Sequence, residues 1–416
     1  MESYLITGGN RLSGAVRIHG AKNSVLPILA ATILCSGQCT IENCPDISDA
    51  DTSAAILRHL GCAVARRGSA VSVDASGVDR CDVPVELMRD MRSSVLFLGA
   101  LTARCGRADL VTPGGCALGA RPIDLHLFAL ERLGVKTETI GDRVLCRSGA
   151  LRGGTIAFPF SSVGATENAM LAASACPEPV RIENAAREPE IADLARFLRA
   201  MGADIGGEGT GTITVRGGRP LSGARFAVMP DRIETATYLS AAAACGGELL
   251  LEGADEKNLR SVTDCLRAAG CEISGEAAGL RIRSGALRSP GAIRTAPYPG
   301  FPTDAQAPVT AALLRAKGVT EITESIFENR MRHVPELRKM GADIALSGSA
   351  ARVSGVERLT GAEVRATDLR CGAALVVAAL SAEGQSRVFG VRYINRGYEG
   401  LEANLRRAGA EIALEG

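Results

Sequence analysis

A short phrase recurs six times along the chain and constrains its fold more than any other feature. In each copy a helix-forming run ends in a glycine, and a small residue and a strand-like segment follow. The six glycines stand at positions 61, 134, 202, 270, 341 and 409, which are 73, 68, 68, 71 and 68 residues apart. A glycine at such a place is typical of a helix C-terminal cap. Self-similarity at a nearly fixed period predicts that one supersecondary unit is used six times.

A second helix, rich in alanine, leucine and valine, is predicted between consecutive copies of the phrase. Its copies begin near Ser24, Ser93, Ala165, Ile233, Ala305 and Leu369, and several are followed by a glycine, at 37, 106, 246, 318 and 384. This helix is apolar on nearly all sides and is expected to be buried, whereas the first helix is amphipathic and is expected to lie outside. Alternating strands such as 70–73, 213–215 and 280–282 complete a unit of the α/β class.

The length of the chain predicts two domains, because 416 residues exceed what one core usually organises. Six units divide into two sets of three at the turn-forming segment 228–231. The first domain is predicted at 22–229 and carries Cys116. The second comprises 1–21 and 230–416 and carries Asp304, and the strand before Lys22 is expected to complete it beside the C-terminal unit. Catalytic clefts between domains are common, so motifs of both halves are expected to face one another.

The composition excludes several classes of partner. A net charge of +1, 3% aromatic residues and no tryptophan argue against nucleic acid. The longest apolar run, 25–35, is too short to cross a bilayer, and no export signal is recognisable, so no membrane association is expected. Thirteen cysteines without a CxxC pair, and four histidines without metal-ligand spacing, indicate reduced, mostly buried thiols in the cytoplasm. No metal or organic cofactor is predicted.

The segment 113–122, Pro-Gly-Gly-Cys-Ala-Leu-Gly-Ala-Arg-Pro, is the strongest candidate for chemistry. Its three glycines give Cys116 a freely bending loop, and Pro122 suits the first turn of a helix that continues from Ile123. Arg121 and the helix N-terminus favour a thiolate and attract anions. The alternative is a glycine-rich turn with an incidental cysteine. The arginine, the proline and Asp124 favour the functional interpretation.

Other polar residues stand at predicted helix starts or unit edges. Lys22 is one of only five lysines among 47 basic residues, and a cation at a helix N-terminus is unfavourable unless an anion is bound there. Asp304 is the only carboxylate at the start of its helix, and its structural alternative is an N-cap. Arg330, Arg370 and the arginine at 396 separately suggest surface ion pairs, but together they suggest a site for phosphate and carboxylate groups.

Several motifs together resemble the UDP-N-acetylglucosamine 1-carboxyvinyltransferase family, a group of enolpyruvyl transferases, along essentially the whole chain. They are 113–126 (Pro-Gly-Gly-Cys to Leu-His), 20–23 (Gly-Ala-Lys-Asn), 184–190 (Asn-Ala-Ala-Arg-Glu-Pro-Glu), 230–235 (Pro-Asp-Arg-Ile-Glu-Thr), 301–304 (Phe-Pro-Thr-Asp) and 396–399 (Arg-Gly-Tyr-Glu). The resemblance implies two inside-out α/β barrel domains, each built from three repeats of one unit. That agrees with the six repeats found above.

The resemblance also implies an activity. The enolpyruvyl group of phosphoenolpyruvate is transferred to the 3′-hydroxyl of UDP-N-acetylglucosamine through a tetrahedral ketal, and phosphate is released. This is the first committed step of bacterial peptidoglycan synthesis, and so of cell-wall biogenesis, cell shape and division. Cys116 matches the family's general acid, which fosfomycin alkylates. Asp304 matches the acceptor of the hydroxyl proton; a helix N-terminus would lower its pKa, so its contribution is expected to be mostly positioning.

Further site residues are implied position by position. Anion contacts to phosphoenolpyruvate match Lys22, Arg121 and Arg396, and Lys22 and Arg396 are counted with the catalytic residues. Positions that bind substrate, mainly around the UDP-sugar, match Asn23, Arg92, Pro122, Ile123, Asp124, Leu125, Ser162, Val163, Gly164 and Ile326, with Arg330 and Arg370 in support. Two positions depart from the family pattern. Asn395 replaces an acidic residue, and Phe160 replaces a lysine near the nucleotide.

Two alternatives remain open from the residues. The sister enolpyruvyl transferase that acts on shikimate 3-phosphate shares the six-unit plan but lacks the Gly-Gly-Cys loop. A non-enzymatic α/β repeat scaffold, or an inactive paralogue, would be favoured by loss of Cys116 or Asp304, and both residues are present. The sequence leaves the oligomeric state undetermined.

Overall fold

The computed structural model of the chain describes residues 2–112 and 123–416. Cys116, Arg121 and Pro122 lie outside the described residues. The strands are β1 Ser3–Thr7, β2 Ser13–Arg17, β3 Gln38–Glu42, β4 Ala63–Arg67, β5 Ala70–Asp74, β6 Arg107–Val111, β7 Val135–Ile140, β8 Arg143–Ser148, β9 Gly154–Ala157, β10 Val180–Glu183, β11 Asp204–Gly206, β12 Thr212–Arg216, β13 Arg225–Ala227, β14 Glu248–Glu252, β15 Glu272–Glu276, β16 Gly279–Arg283, β17 Ala292–Arg294, β18 Val319–Thr323, β19 Asp343–Ser347, β20 Ala350–Ser354, β21 Glu363–Arg365, β22 Gln385–Phe389 and β23 Glu411–Glu415.

The helices alternate with these strands in a mixed α/β architecture. They are α1 Lys22–Ala31, α2 Ser48–His59, α3 Val85–Asp90, α4 Phe97–Cys105, α5 Asp124–Arg132, α6 Val163–Ala173, α7 Pro189–Ala200, α8 Arg232–Cys245, α9 Arg260–Ala268, α10 Thr303–Ala312, α11 Val334–Lys339, α12 Leu369–Ser381, α13 Val391–Ile394 and α14 Leu401–Arg407. Short 3-10 helices are found at Thr32–Leu34, Arg92–Leu96, Glu256–Asn258, Leu313–Arg315 and Arg330–His333.

The recurring glycines end helices as predicted. Each stands one residue beyond the C-cap of α2, α5, α7, α9, α11 or α14, and each has a positive φ between 86° and 108°. A side chain is strained in that backbone conformation, which explains the choice of glycine. The glycines expected after the buried helices are different. Gly106 and Gly246 cap α4 and α8, but those at 37, 318 and 384 stand two residues past the last cap.

The predicted apolar helices are buried. In α8 and α12 all but one or two residues are buried, and α1, α6 and α10 are buried along almost their whole length. Helices α8, α10 and α12 pack against one another. The helix predicted near Ser93 begins instead as the 3-10 turn Arg92–Leu96 and becomes α-helical at Phe97.

The described residues form six sheets, and five of them share one pattern of strand pairing. Five have four strands, in which one edge strand is parallel to its neighbour and the other pairs are antiparallel. The sixth sheet, β6-β8-β7, has three strands, and a parallel bridge between Asp82 and Asp109 lies at the edge where the others carry a fourth strand. In the sheet β21-β22-β1-β23, the first strand of the chain pairs with both β22 and β23.

The described chain separates into two compact units. The N-terminal unit comprises residues 20–112 and 123–229, and the C-terminal unit comprises residues 2–19 and 230–416. Each unit has its own apolar core, formed by its buried helices and the inward side chains of its three sheets.

Parallel strand pairs determine where the helix N-termini lie. A crossover must join two parallel strands, and here it is a buried helix in β9-α6-β10, β17-α10-β18 and β21-α12-β22. The N-terminus of each of these helices therefore follows the carboxyl end of a strand. Ligands of α/β proteins bind at the carboxyl ends of strands, where loops and helix N-termini meet.

Candidate active site

The predicted site residues that the structure describes lie at strand ends and helix starts. Lys22 and Asn23 begin α1, Arg92 begins a 3-10 helix, and Asp124 begins α5. Ser162 is the N-cap of α6. In the C-terminal unit, Asp304, Arg330, Arg370 and Arg396 follow the carboxyl ends of β17, β18, β21 and β22. The structure thus divides the described site residues into one group in each unit.

Lys22 has an acidic partner inside the N-terminal unit. Its Nζ donates to Oδ2 of Asp49 at a distance of 2.6 Å, and both residues are buried. Asp49 is the second residue of α2, which packs against α1. An ammonium at a helix N-terminus is disfavoured by the helix dipole, and the nearby carboxylate offsets that cost. Lys22 is therefore held in one place as a cation.

A buried histidine joins the starts of α5 and α6. The Nδ2 of Asn168 lies 2.6 Å from Nδ1 of His126, and because an amide nitrogen only donates, that ring nitrogen accepts. Burial, and then the charge of Arg92, lower the pKa of His126 to about 4, so the ring is neutral at pH 7. A Cβ at Gly164 would lie 3.0 Å from the ring carbon Cε1 of His126. Glycine at this position therefore lets the two helix starts approach.

Asn168 also ties these helix starts to α4. Its Oδ1 accepts from the Gly99 backbone N–H at 2.6 Å, and its Nδ2 donates to the Val95 carbonyl at 3.1 Å. The segments that carry Arg92, Asp124 and Ser162 are thus held around one buried amide. Asp124 is exposed, Leu125 and the segment 162–164 are half-buried, and Ile123 is buried. The Ser162 hydroxyl makes no capping bond to the helix that it precedes.

Asp304 lies between two arginines in the C-terminal unit. Its Oδ1 accepts from Nη2 of Arg330 at 2.6 Å, and its Oδ2 accepts from Nη2 of Arg370 at 3.0 Å. The arginine side chains are 3% and 4% exposed, whereas that of Asp304 is 27% exposed. We call these three residues the arginine clamp. Asp304 is the second residue of α10 and Pro302 is the N-cap, so the N-cap interpretation of Asp304 is wrong.

The clamp keeps Arg370 charged. Burial by itself lowers the pKa of Arg370, but the carboxylate of Asp304, with Tyr398 and Asp231, raises it above its ordinary value. Arg330 also donates to the Thr303 carbonyl, through Nε at 3.3 Å and Nη2 at 3.2 Å. A carboxylate held in this way has a fixed orientation.

Glu324 is a buried acid that contacts the predicted site residue Ile326, and the sequence analysis missed it. It follows β18, is 3% exposed, and its Oε1 accepts from the N–H groups of Ile326 and Phe327 at 2.8 and 3.1 Å. Its Oε2 accepts from the Thr303 hydroxyl at 2.9 Å. It therefore fastens the turn that carries Ile326 to the first residue of α10. A single acid after a strand gives no sequence signal for such a role.

The remaining predicted positions lie near the ends of elements. Arg396 is half-buried in the segment after α13, and Asn395, which departs from the family pattern, is exposed at the C-cap of that helix. Phe160, the other departure, has 64% of its surface exposed two residues before the N-cap of α6. Cys116, Arg121 and Pro122 fall outside the described residues, so their contacts stay predictions.

Within residues 2–112 and 123–416, no three His, Cys, Asp or Glu side chains group in a way that could hold a metal ion. None of the helices there combines the length and the apolar character that a membrane span requires.

Comparisons with known proteins agree on one family. The family model described as EPSP synthase (3-phosphoshikimate 1-carboxyvinyltransferase) matches residues 6–405. UDP-N-acetylglucosamine 1-carboxyvinyltransferase 2 of Caldanaerobacter subterraneus is 46% identical over 413 residues, which is 99% of each chain. UDP-N-acetylglucosamine 1-carboxyvinyltransferase of Zymomonas mobilis is 46% identical over 425 aligned positions, covering 100% of both.

Solved structures show the same fold. The enolpyruvyl transferase NikO from Streptomyces tendae superposes with a TM-score of 0.90 at 29% identity, over 99% of this chain and 98% of that one. EPSP synthase from Acinetobacter baumannii superposes with a TM-score of 0.77 at 19% identity, over 100% of both chains, which shows a shared fold. The chain therefore belongs to the EPSP synthase (3-phosphoshikimate 1-carboxyvinyltransferase) family and, within it, to the UDP-N-acetylglucosamine 1-carboxyvinyltransferases.

Proposed function

We propose that this protein transfers the enolpyruvyl group of phosphoenolpyruvate to the 3′-hydroxyl of UDP-N-acetylglucosamine and releases phosphate, in peptidoglycan synthesis. One observation carries the proposal: full-length relatives at 46% identity are named for this transfer. The arginine clamp suits the reaction, because an oriented and partly exposed carboxylate can accept a hydrogen bond from an attacking hydroxyl.

The C-terminal group acts on the acceptor hydroxyl. Asp304 accepts a hydrogen bond from the 3′-hydroxyl, and this bond orients the hydroxyl oxygen toward C2 of phosphoenolpyruvate. Because two guanidinium groups already bind the carboxylate, it contributes mainly orientation, and it takes the proton late as the oxygen–carbon bond forms. Arg396 contacts the anionic groups of phosphoenolpyruvate. Ile326, on the turn that Glu324 holds, packs against the UDP-sugar.

The N-terminal group binds the substrates and supplies the acid. Cys116 protonates C3 of phosphoenolpyruvate, which makes C2 electrophilic, and Lys22 and Arg121 contact its phosphate and carboxylate. The UDP-sugar is bound by the helix starts gathered around His126 and Asn168. The positions proposed to bind it, as the family resemblance implies, are Asn23, Arg92, Pro122, Ile123, Asp124, Leu125, Ser162, Val163 and Gly164. Backbone N–H groups at helix starts suit the diphosphate.

The same proposal extends to the architecture and the compartment. Each domain, 22–229 or 1–21 with 230–416, comprises three copies of one unit arranged as an inside-out barrel, with helices within and sheets outside. The pattern of strand pairing that five of the six described sheets share supports this arrangement. We infer that the reaction takes place in the cytoplasm; the twelve cysteines among the described residues are all free thiols, as is typical of a reducing compartment, and this supports the inference.

A phosphate-release assay tests the proposed substrate. Purified protein is incubated with phosphoenolpyruvate and either UDP-N-acetylglucosamine or shikimate 3-phosphate, and released phosphate is measured over time. We expect phosphate release when UDP-N-acetylglucosamine is the acceptor and none when shikimate 3-phosphate is the acceptor. Turnover with shikimate 3-phosphate alone would support the sister activity, and absence of turnover with both acceptors would contradict the proposed function.

A further inference from the structure

A line of hydrogen bonds continues from the arginine clamp into the interior of the C-terminal unit. Nη1 of Arg370 donates to the Tyr398 hydroxyl at 3.0 Å, and that hydroxyl lies 2.8 Å from Oγ1 of Thr237 on α8. All three residues are buried, with 2–3% of their surface exposed. The line joins the first turn of α12 to α8 through the loop that follows α13.

The direction of each hydrogen bond can be assigned from the available protons. The Thr237 hydroxyl also lies 3.0 Å from the Ile233 carbonyl, which can only accept, so the single hydroxyl proton of Thr237 points there. Tyr398 must then donate its own proton to Thr237. The lone pairs of the Tyr398 oxygen remain available, and they accept the N–H of Arg370.

This assignment requires a neutral tyrosine, and the surroundings keep it neutral. Burial raises the pKa of Tyr398 above its ordinary value, although Arg370 and the bond to Thr237 act in the opposite direction. The guanidinium of Arg370 is therefore held at two of its corners, at Nη1 by Tyr398 and at Nη2 by Asp304. Its Cζ also lies 5.5 Å from the centre of the Tyr398 ring. A planar group fixed at two corners cannot turn about its long axis.

We propose that Tyr398 and Thr237 are positioning residues for the transfer reaction: they orient Arg370, which in turn holds Oδ2 of Asp304 toward the acceptor hydroxyl. This inference rests on the proposed function, since it assigns the purpose of the orientation. Neither residue contacts substrate in this proposal. Thr237 fixes the direction of the Tyr398 hydroxyl proton, and Tyr398 fixes the plane of the Arg370 guanidinium. Arg370 in turn fixes the orientation of the Asp304 carboxylate.

The test removes single hydroxyl groups and compares kcat with KM. Tyr398→Phe deletes the acceptor of Arg370 while keeping the ring, and we expect kcat to fall about tenfold with the KM for UDP-N-acetylglucosamine changed less than about threefold. Thr237→Val should lower kcat by a smaller factor, and Thr237→Ser, which keeps the hydroxyl, should restore it. In an Asp304→Asn background Tyr398→Phe should cost little more, because both changes act on one unit.

Tyr238→Phe is the matched control. Tyr238 stands next to Thr237 on α8, is fully buried, and its hydroxyl accepts from Nδ2 of Asn404 at 3.1 Å. This variant loses an equally buried hydroxyl and should keep the wild-type kcat. An equal fall in kcat for Tyr238→Phe and Tyr398→Phe, or a wild-type kcat in Tyr398→Phe, would overturn the proposal.

The failure of the inference can be told apart from the failure of the proposed function. Wild-type turnover with UDP-N-acetylglucosamine reports the function, and the ratio of each variant to wild type reports the positioning role. A crystal structure of Tyr398→Phe provides a test that does not depend on enzyme activity. The separation of Nη2 of Arg370 and Oδ2 of Asp304, 3.0 Å in the wild type, should exceed the hydrogen-bonding range. An unchanged separation would refute the positioning role.

Discussion

Replacement of Asp304 by asparagine tests the arginine clamp at its centre. Asparagine keeps the shape of the side chain but presents one oxygen and one NH2 group. Its oxygen can accept from one arginine, and its NH2 group then faces the N–H donors of the other. One of the two buried guanidiniums, Arg330 or Arg370, therefore loses its carboxylate oxygen and meets a second donor instead.

The size of the effect can be worked from burial. Breaking a fully buried ion pair costs about 3–5 kcal/mol. Asp304 is 27% exposed and one hydrogen bond survives, so we expect a loss of about 2 kcal/mol. In a domain of this size that corresponds to a fall in Tm of about 4–8 °C. Loss of the charge should also lower kcat by about 100-fold or more, equivalent to ~2.7 kcal/mol of activation free energy.

The assay combines phosphate release, calorimetric substrate binding and thermal unfolding. Substrate binding should be retained, because removing the negative charge of Asp304 introduces no repulsion toward the anionic substrates. The control is Asp264→Asn, which removes a 62% exposed carboxylate 3.3 Å from Arg267 and should cost less than about 0.5 kcal/mol. A near wild-type kcat would remove Asp304 from the chemistry. A Tm as little changed as that of Asp264→Asn would refute the buried clamp.

Three other perturbations address the remaining features of the site. The pKa of His126 is lowered to about 4, so the unfolded chain binds one more proton between about pH 6.5 and 4. Its contribution to stability is complete above pH 6.5 and falls by about 3 kcal/mol toward pH 4; His126→Gln, which keeps an acceptor, should flatten Tm against pH. Glu324→Ala deprives the Ile326 turn of its acceptor, and should raise the KM for UDP-N-acetylglucosamine about tenfold, whereas Glu324→Gln should do less. Fosfomycin should add one adduct per chain, on Cys116, detected by mass spectrometry, and the reaction should be faster with UDP-N-acetylglucosamine present.

Each of these predictions has an outcome that contradicts it. An equal pH dependence of Tm in wild type and His126→Gln would remove that histidine from the acid sensitivity. An unchanged KM in Glu324→Ala would show that the turn needs no buried acceptor. A fosfomycin adduct on exposed Cys105, or normal turnover by Cys116→Ser, would refute the assigned acid; Cys105→Ser serves as the control and should be labelled like the wild type.

Local backbone requirements explain which features of the fold could be predicted from the sequence alone. A helix that ends in a left-handed residue requires glycine whatever surrounds it, so the glycines at 61, 134, 202, 270, 341 and 409 marked six helix ends, all confirmed by their positive φ. The apolar helices and the strands were also predicted from adjacent residues, the helices from their apolar composition and the strands from their alternation. The motifs around Lys22 and Asp304 are also short runs of neighbouring residues, so the resemblance to the family could be recognised from the sequence.

Partnerships between distant residues were decided only by the tertiary structure. Asp304 meets arginines 26 and 66 positions away, and Tyr398 meets a threonine 161 positions away. Asp49, the acidic partner of Lys22, looks in the sequence like an ordinary aspartate at a helix start. No sequence pattern marks Glu324. An arginine is also uninformative by itself here, since 42 of the 47 basic residues are arginines. The sequence thus determined where the helices that end in a left-handed glycine stop, whereas the packing of α8, α10 and α12 decided which buried charges lie together, because a buried charge needs a partner from whichever element the fold brings next to it.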